Sequence, residues 1–298
     1  MRAAAWLQHA LAPRLDAGAA AWLNAAVATL AAGGTERDLY RLVSLVSRKL
    51  GKAPLLPSDA EHLSAVAARP GWNPSGWTVD QAARVLLLLA SGGNSDCSDR
   101  SDLSDERVRF SARLNALCAT ADVDELVAFY RGLPLYPDAA RHRARAAEGI
   151  RSNMRVVFEA VAHANPYPAE QLADDAWNQM VLKALFVGSA LHPIHGLDAR
   201  ANPARARMLG DYAHERWAAQ RSVNPELWRC IGACAAGPLW ADLAQVLDTG
   251  STPERAAVAL ALRHNAAPEA AALRARHATL CDALTAQATN WATVVNFH

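Results

Sequence analysis

Residues 148–234 carry the most specific pattern of the chain and read EGIRSNMRVVFEAVAHANPYPAEQLADDAWNQMVLKALFVGSALHPIHGLDARANPARARMLGDYAHERWAAQRSVNPELWRCIGAC. Apolar side chains return there every three or four residues, as at Trp177, Met180, Val181, Ala184 and Leu185. That spacing is typical of one face of an α-helix. The same spacing covers most of the chain, and convincing strand alternation is missing. The sequence therefore predicts an all-α fold.

Side chains that begin helices mark the ends of several predicted elements. Thr35 with Asp38 three residues later forms a variant of the capping box, and Asn202 before Pro203 combines a capping amide with proline at the first helical position. Short turns join the elements. We predict antiparallel helix pairs stacked as an irregular α-α superhelix, or α-solenoid, with a compact helical bundle as the alternative.

Two long helices follow from the periodicity. The first runs from Ala140 to about Ala164, and the second begins at Pro268 and ends near Trp291. The first has an apolar stripe at regular helical spacing. Its members are Ile150, Met154, Val157 and Val161.

Composition indicates a globular chain, since 52% of its 298 residues are hydrophobic and 20% are charged. We expect a single domain over residues 1–298, with a surface loop at 92–103 that is rich in serine, aspartate and glycine. The formal net charge of +1 argues against a general nucleic-acid-binding protein, which normally has a clear basic excess. No apolar run approaches the ~20 residues of a transmembrane helix.

The five cysteines are odd in number and lack C-x-x-C spacing, so we expect no disulfide framework and a cytoplasmic location. Cys230 and Cys234 share one helix face and are expected to be small buried apolar residues rather than metal ligands.

A polar stripe interrupts the apolar helix of the central stretch. Asp175, Gln179 and Lys183 are spaced four residues apart, and Asn178 borders them. Such groups need partners when buried, so the stripe either holds a polar ligand or forms a hydrogen-bond network between helices. Asp174, Asp175 and Asn178 also form the D-D-x-x-N pattern of metal-diphosphate sites, but no second acidic motif accompanies it.

The following loop and helix supply further candidate ligands. His192, His195 and Asp198 offer the nitrogen and oxygen atoms that divalent metals favour, although Pro193 and Gly196 fix a turn that need not bring the imidazoles together. On the next helix Asp211 and His214 are spaced as metal ligands or as an acid–base pair; together with Glu215 and Arg216 they equally fit an ion-pair cluster between helices. The common nucleotide and hydrolase motifs are absent from the sequence, and it predicts no cofactor.

Several runs are specific enough to suggest a family. They are GIRSNM, NPYPAE, AWNQMVLKALFVG, GLDARANP, ARMLGDYAHERWAA and PELWRC, with GWNPSGWTVDQAARVLLLL nearer the N-terminus. With these runs the chain resembles the EboA family of bacterial metabolite traffic proteins. The resemblance is strongest over residues 148–234.

The resemblance implies a gene cluster that also encodes a prenyltransferase-like membrane protein and several enzyme-like proteins. It implies a role in moving a secondary-metabolite precursor towards the periplasm, and it supplies no catalytic residues. The matching runs mark candidate ligand-binding residues only. These are Arg151, Asn153, Asn178, Gln179, Lys183, Asp198, Arg200, Asn202, Asp211, His214, Glu215 and Arg216.

The first functional hypothesis is a non-catalytic accessory protein in the cytoplasm. It would bind a small metabolite or the other proteins of the cluster, and these partners would hold it near the inner membrane. The alternative is a metal-dependent or acid–base enzyme acting on a small polar or prenylated metabolite, with Asp211 and His214 as its catalytic or metal-binding groups. A third hypothesis is a helical scaffold, in which the polar residues of the central stretch pair with one another.

Overall fold

The computed structural model describes residues 3–92 and 100–294 of the chain, and residues 100–104 by their backbone alone. Throughout these ranges the regular elements are helices, and Pro54 and Thr78 form an isolated antiparallel bridge. The all-α prediction is confirmed. Within the same ranges, no helix is both long enough and apolar enough to cross a membrane.

The chain divides into two compact units, unit 1 over residues 1–173 and unit 2 over residues 174–298. The single domain and the stacking of helix pairs into a solenoid stay predictions. The loop expected at 92–103 falls largely on residues 93–99, which lie outside the described residues, and a helix begins directly after them at Arg100.

Unit 1 is built around one helix that is buried on most of its surface. Its helices are α1 Ala3–Leu11, α2 Ala17–Ala31, α3 Glu36–Leu50, α4 Asp59–Ala68, α5 Val79–Ala90, α6 Arg100–Thr120, α7 Val123–Arg131, α8 Arg143–Arg151, α9 Arg155–Ala162 and α10 Tyr167–Gln171. Helix α5 packs against α1, α2, α3 and α7. Contact on so many sides explains why its run from Val85 to Leu88 is apolar without interruption.

The long helix predicted from Ala140 to Ala164 is wrong, because the structure breaks it into α8 and α9. Ser152 Oγ accepts a hydrogen bond from the backbone N–H of Met154 at 3.1 Å, and this local bond replaces a helical one. Helices α8 and α9 then pack against each other. A Cβ at Gly149 would lie 2.6 Å from Val161 Cγ2, so only glycine permits that approach. Met154, placed in the predicted apolar stripe, is 43% exposed.

Unit 2 has a central pair of helices, α13 and α15. Its helices are α11 Asp174–Phe186, α12 Pro203–Ala218, α13 Leu227–Gly232, α14 Leu239–Thr249, α15 Thr252–Leu262, α16 Pro268–Arg276 and α17 Ala278–Ala286. Helix α13 packs on α15 at very short range, since a Cβ at Gly232 would lie 2.5 Å from Ala261 Cβ. Helix α12 contacts α13, and α14 contacts α15.

The helix predicted to begin at Pro268 does begin there, but the structure has two helices before Trp291 instead of one. Helix α16 ends at Arg276, and α17 begins at Ala278. His277 between them has φ −116° and ψ 37°, which lies outside the helical region and interrupts the ladder of backbone hydrogen bonds.

The predicted capping residues are confirmed. Thr35 and Asp38 form a complete capping box at the start of α3. Asn202 caps α12 by accepting a hydrogen bond from the backbone N–H of Arg205 at 2.8 Å, with Pro203 at the first helical position. These caps begin their helices at the residues that the sequence indicates.

Candidate functional site

The predicted polar residues of the central stretch fall in both units. Arg151 ends α8 and Asn153 lies in the break after it, and both side chains are exposed in unit 1. The other ten candidate residues lie in unit 2. All ten belong to α11, α12 or the loop at residues 187–202 between these helices.

Two amides connect α11 to the start of α12. The side chains of Asn178 and Asn202 exchange hydrogen bonds at 3.2 and 3.0 Å, and Asn178 is only 6% exposed. Asn202 also caps α12, so one side chain both begins that helix and holds it against α11. Both amides therefore stabilise the packing of the two helices.

Arginines fix the loop between α11 and α12 from two sides. Arg200 forms an ion pair with Asp174, and its guanidinium lies 4.8 Å from the ring centre of Trp177. Asp198 accepts two hydrogen bonds from Arg229, at 2.7 and 2.6 Å. Paired, two-point contacts of this kind set the orientation of both side chains.

A buried carboxylate, which the sequence does not indicate, also anchors the loop. Glu226 is 2% exposed, and its carboxylate accepts hydrogen bonds from the backbone N–H groups of Leu191 at 2.7 Å and His192 at 2.6 Å. His192 Nδ1 lies 3.3 Å from the same carboxylate. Arg205, 1% exposed, donates to the carbonyl of Leu197 at 3.0 Å. In the sequence these two charged residues look like ordinary surface positions.

The candidate metal ligands of the central stretch do not form a cluster. Among the described residues, no group of three or more histidine, cysteine, aspartate or glutamate side chains is placed to hold a metal ion. His192 pairs with Glu226, while His195 is exposed. Cys230 is buried as predicted, and burial raises the pKa of its thiol to about 11, so it is protonated at neutral pH. Cys234 is half-buried, so the prediction of full burial is wrong for it.

Two predicted residues of α11 reach the surface of unit 2 to different extents. Gln179 is exposed, and its amide nitrogen lies 3.8 Å from Met208 Sδ. Lys183 is half-buried and makes a polar contact. A role for either side chain in ligand binding stays a prediction.

On α12 the acidic partner of His214 comes from another helix. His214 Nε2 lies 2.9 Å from Asp242 Oδ1, on α14. Asp211 and Glu215 are exposed on the same helix as His214. Asp242 keeps 14% of its side chain exposed, whereas His214 keeps 52%, so the pair presents its imidazole to solvent.

Two adjoining clefts open beside α12. The larger, about 640 Å³, is lined mainly by the end of α11, the middle of α12 and the segment Ser222–Pro225. The smaller, about 480 Å³, is lined by the end of α12, residues 220–223 and the α14–α15 turn. Both include Ser222, Val223, Ser251 and Glu254, and we call them together the double cleft.

The wall of the double cleft combines an exposed aromatic ring with a fixed cation. Phe186, at the end of α11, lines the larger cleft although 77% of it is exposed. Tyr212 and Arg216 line it from α12. Arg216 donates from Nε and Nη2 to the carbonyl of Ser222, at 3.0 and 2.7 Å, and this contact fixes the bend of the chain beyond α12.

The family model described as metabolite traffic protein EboA matches residues 3–232. The chain belongs to the EboA family. The match covers all of unit 1 that the structure describes, and in unit 2 it continues to the end of α13. No curated protein matches the chain, and no solved structure matches it either. The description of the family supports a role in metabolite traffic.

In this EboA-family chain the double cleft is lined partly by residues inside the family match and partly by residues beyond it. Phe186, Tyr212, Arg216 and the segment 222–225 lie inside the family match. The turn that closes the cleft, residues 249–254, lies beyond it. Of the twelve candidate residues only Arg216 lines the cleft, while Asn178, Asp198, Arg200 and Asn202 hold the neighbouring helices and loop together.

Proposed function

We propose that this EboA-family chain is a non-catalytic binding protein that carries a small metabolite during its traffic, and that the double cleft is the binding site. Family membership supports the traffic role. The observation that carries the site is the larger cleft, whose volume of about 640 Å³ is within the range of ~300–1,000 Å³ found for small-molecule pockets.

The chemistry of the cleft fits a small organic molecule. Leu185, Phe186, Tyr212 and Val223 supply apolar and aromatic surface, and Arg216 is the cation among them. Asn224 and Glu254 add polar groups to the same lining. In small-molecule sites apolar surface supplies affinity and placed polar groups fix orientation. An exposed phenylalanine at the mouth is otherwise unfavourable, since water gains contact with a large apolar ring.

The proposed wider role is based on the membership of the EboA family. We propose that the metabolite is a precursor in bacterial secondary metabolism and that the chain acts in the cytoplasm on the precursor's way towards the periplasm. Its partners are then the other proteins of the same gene cluster, including a prenyltransferase-like membrane protein.

The test is to recover the chain from cells that express the whole gene cluster and to identify bound metabolites by mass spectrometry. Phe186→Glu places a charge at the mouth of the cleft and should abolish the bound metabolite. Leu63→Glu is the matched control, because Leu63 is 74% exposed and lies on α4 in unit 1. Exposed substitutions of this kind change stability by no more than about 0.5 kcal/mol. Equal recovery from both variants would remove the double cleft as the site.

One observation favours an acid–base enzyme as the second function. The Asp242 carboxylate holds the imidazole of His214, and a carboxylate that orients an imidazole is a common arrangement for a general base. Asp242→Asn separates the two functions. An enzyme would convert its metabolite more slowly in this variant, whereas a carrier would release the same unchanged molecule from wild type and variant.

A further inference from the structure

A small polar pocket lies in unit 1, formed by three segments that are distant in sequence. Its volume is about 140 Å³. Ser75 and Trp77 come from the loop before α5, Arg131 ends α7, and Glu159 and His163 come from the end of α9. The pocket is smaller than the ~300 Å³ at which drug-sized sites begin, so it fits one small polar group.

Arg131 is held firmly at this pocket by neutral groups. Its Nη1 donates to the carbonyl of Gly76 at 2.5 Å and to Gln81 Oε1 at 2.7 Å. Within the described part of the chain, Nε and Nη2 donate to no protein group. A guanidinium has five N–H donors in a planar fork. The three on Nε and Nη2 are therefore left for a molecule in the pocket.

The charge around Arg131 is not balanced by a direct partner. Burial lowers the pKa of Arg131, and the nearby Glu159 opposes that shift. Glu159 itself forms an ion pair with Arg155, at 3.0 Å. The Glu159 carboxylate also lines the pocket, while the half-buried Arg131 supplies its guanidinium and donates only to uncharged oxygens.

Hydrogen bonds of one buried side chain and a left-handed residue fix the backbone beside the pocket. Asn165 is 2% exposed and donates to the carbonyls of Tyr130 and Ala160, both at 3.2 Å. The preceding residue, Ala164, has φ +50°, a left-handed conformation that non-glycine residues seldom adopt. Such conformations persist where the surrounding structure determines them, and they concentrate at binding sites. Trp77, 3% exposed, forms a rigid wall.

We propose that this pocket binds an oxyanion, a carboxylate or a phosphate group, through the Nε and Nη2 donors of Arg131. Two parallel N–H groups of a fixed guanidinium match two oxygens of either anion. Ser75 adds a hydroxyl and His163 an imidazole to the same lining. The site lies in unit 1, so it is separate from the residues of the double cleft and independent of the function proposed for them.

The test uses the isotope-labelled full chain, titrated with inorganic phosphate and, separately, with acetate and lactate. Binding should shift the Arg131 Nε–H and Trp77 indole N–H resonances. The Trp6 indole N–H, bonded to Glu61 and Ser64, should not move. A response to phosphate alone assigns a phosphate group, and a response to acetate or lactate alone assigns a carboxylate. If neither anion shifts these resonances, the proposal is overturned.

Three variants test whether anion binding at the pocket depends on Arg131. Arg131→Gln should weaken binding about tenfold or more, equivalent to ~1.4 kcal/mol. Arg69→Gln is the matched control, since Arg69 is another half-buried arginine of unit 1 with one carbonyl and one carboxylate partner, and this variant should bind normally. Ser75→Leu fills the mouth from an exposed position without altering Arg131, and it should also weaken binding. Normal affinity in both the Arg131 and the Ser75 variants would refute the assignment.

Discussion

Replacing Glu226 by alanine tests whether one buried carboxylate holds the loop between α11 and α12. The substitution leaves the N–H of Leu191, a fully buried residue, without its acceptor, at a cost of about 1–3 kcal/mol. The N–H of His192 adds less, because His192 is exposed and water can reach it. We expect the free energy of unfolding to fall by about 2–4 kcal/mol in total.

Urea denaturation followed by the fluorescence of the tryptophans measures this loss, and hydrogen exchange of peptides from residues 187–202 locates it. Glu215→Ala is the matched control, since it removes an exposed glutamate of α12 and should change stability by no more than about 0.5 kcal/mol. Glu226→Gln keeps one acceptor oxygen and should fall between the two. If Glu226→Ala is as stable as Glu215→Ala and exchange in the loop is unchanged, the carboxylate does not anchor the loop.

Two further predictions concern acid stability and helix packing. A hydrogen bond from Arg14 lowers the pKa of Glu61 from 4.5 to about 2, so this carboxylate stabilises the fold above pH 4.5 and its contribution is lost as the pH falls towards 2. Glu61→Gln should flatten the acid dependence of urea denaturation over that interval, and an unchanged slope would contradict the assignment. Gly232→Ala places a Cβ 2.5 Å from that of Ala261 and should cost about 1–3 kcal/mol in thermal denaturation. Adding Ala261→Gly should recover part of the loss, and an unchanged Tm in the single variant would contradict the close approach.

Local signals in the sequence predict the helices well where a few neighbouring residues decide the outcome. Thr35 and Asp38 begin α3, and Asn202 begins α12, because a capping side chain reaches a backbone N–H three residues away. The uninterrupted apolar run of α5 indicates from the sequence alone that this helix is buried, and the structure has it buried. These features depend on sequence-local chemistry alone.

The break between α8 and α9 depends on residues that are far apart. Gly149 allows close contact with Tyr130 and Val161, and that contact requires the chain to turn back at Ser152. Helical periodicity continues through the break, so it gives no warning of the turn. Tertiary packing therefore overrides a local preference.

The same limit applies to the candidate site. The sequence identifies polar residues such as Asn178 and His214 as unusual, but their partners are determined by the fold. His214 pairs with Asp242, 28 residues further on, and Asn178 with Asn202, 24 residues further on. Glu226 was missed because a glutamate just before a helix is common at protein surfaces. Its burial becomes evident only when the loop at 187–202 folds over it.

The packing of α13 has a consequence for how the protein can be shortened. The recognisable family pattern stops at residue 232, yet Trp228 and Ile231 are fully buried there, and the guanidinium of Arg229 lies 5.2 Å from the ring centre of Trp291. A truncation at 232 would remove α15. The apolar side of α13 would then be exposed to water, and the fragment would be prone to aggregation. The residues beyond 232 are thus part of the folding unit, and α13 can approach α15 this closely only because residue 261 of α15 has the small side chain of alanine.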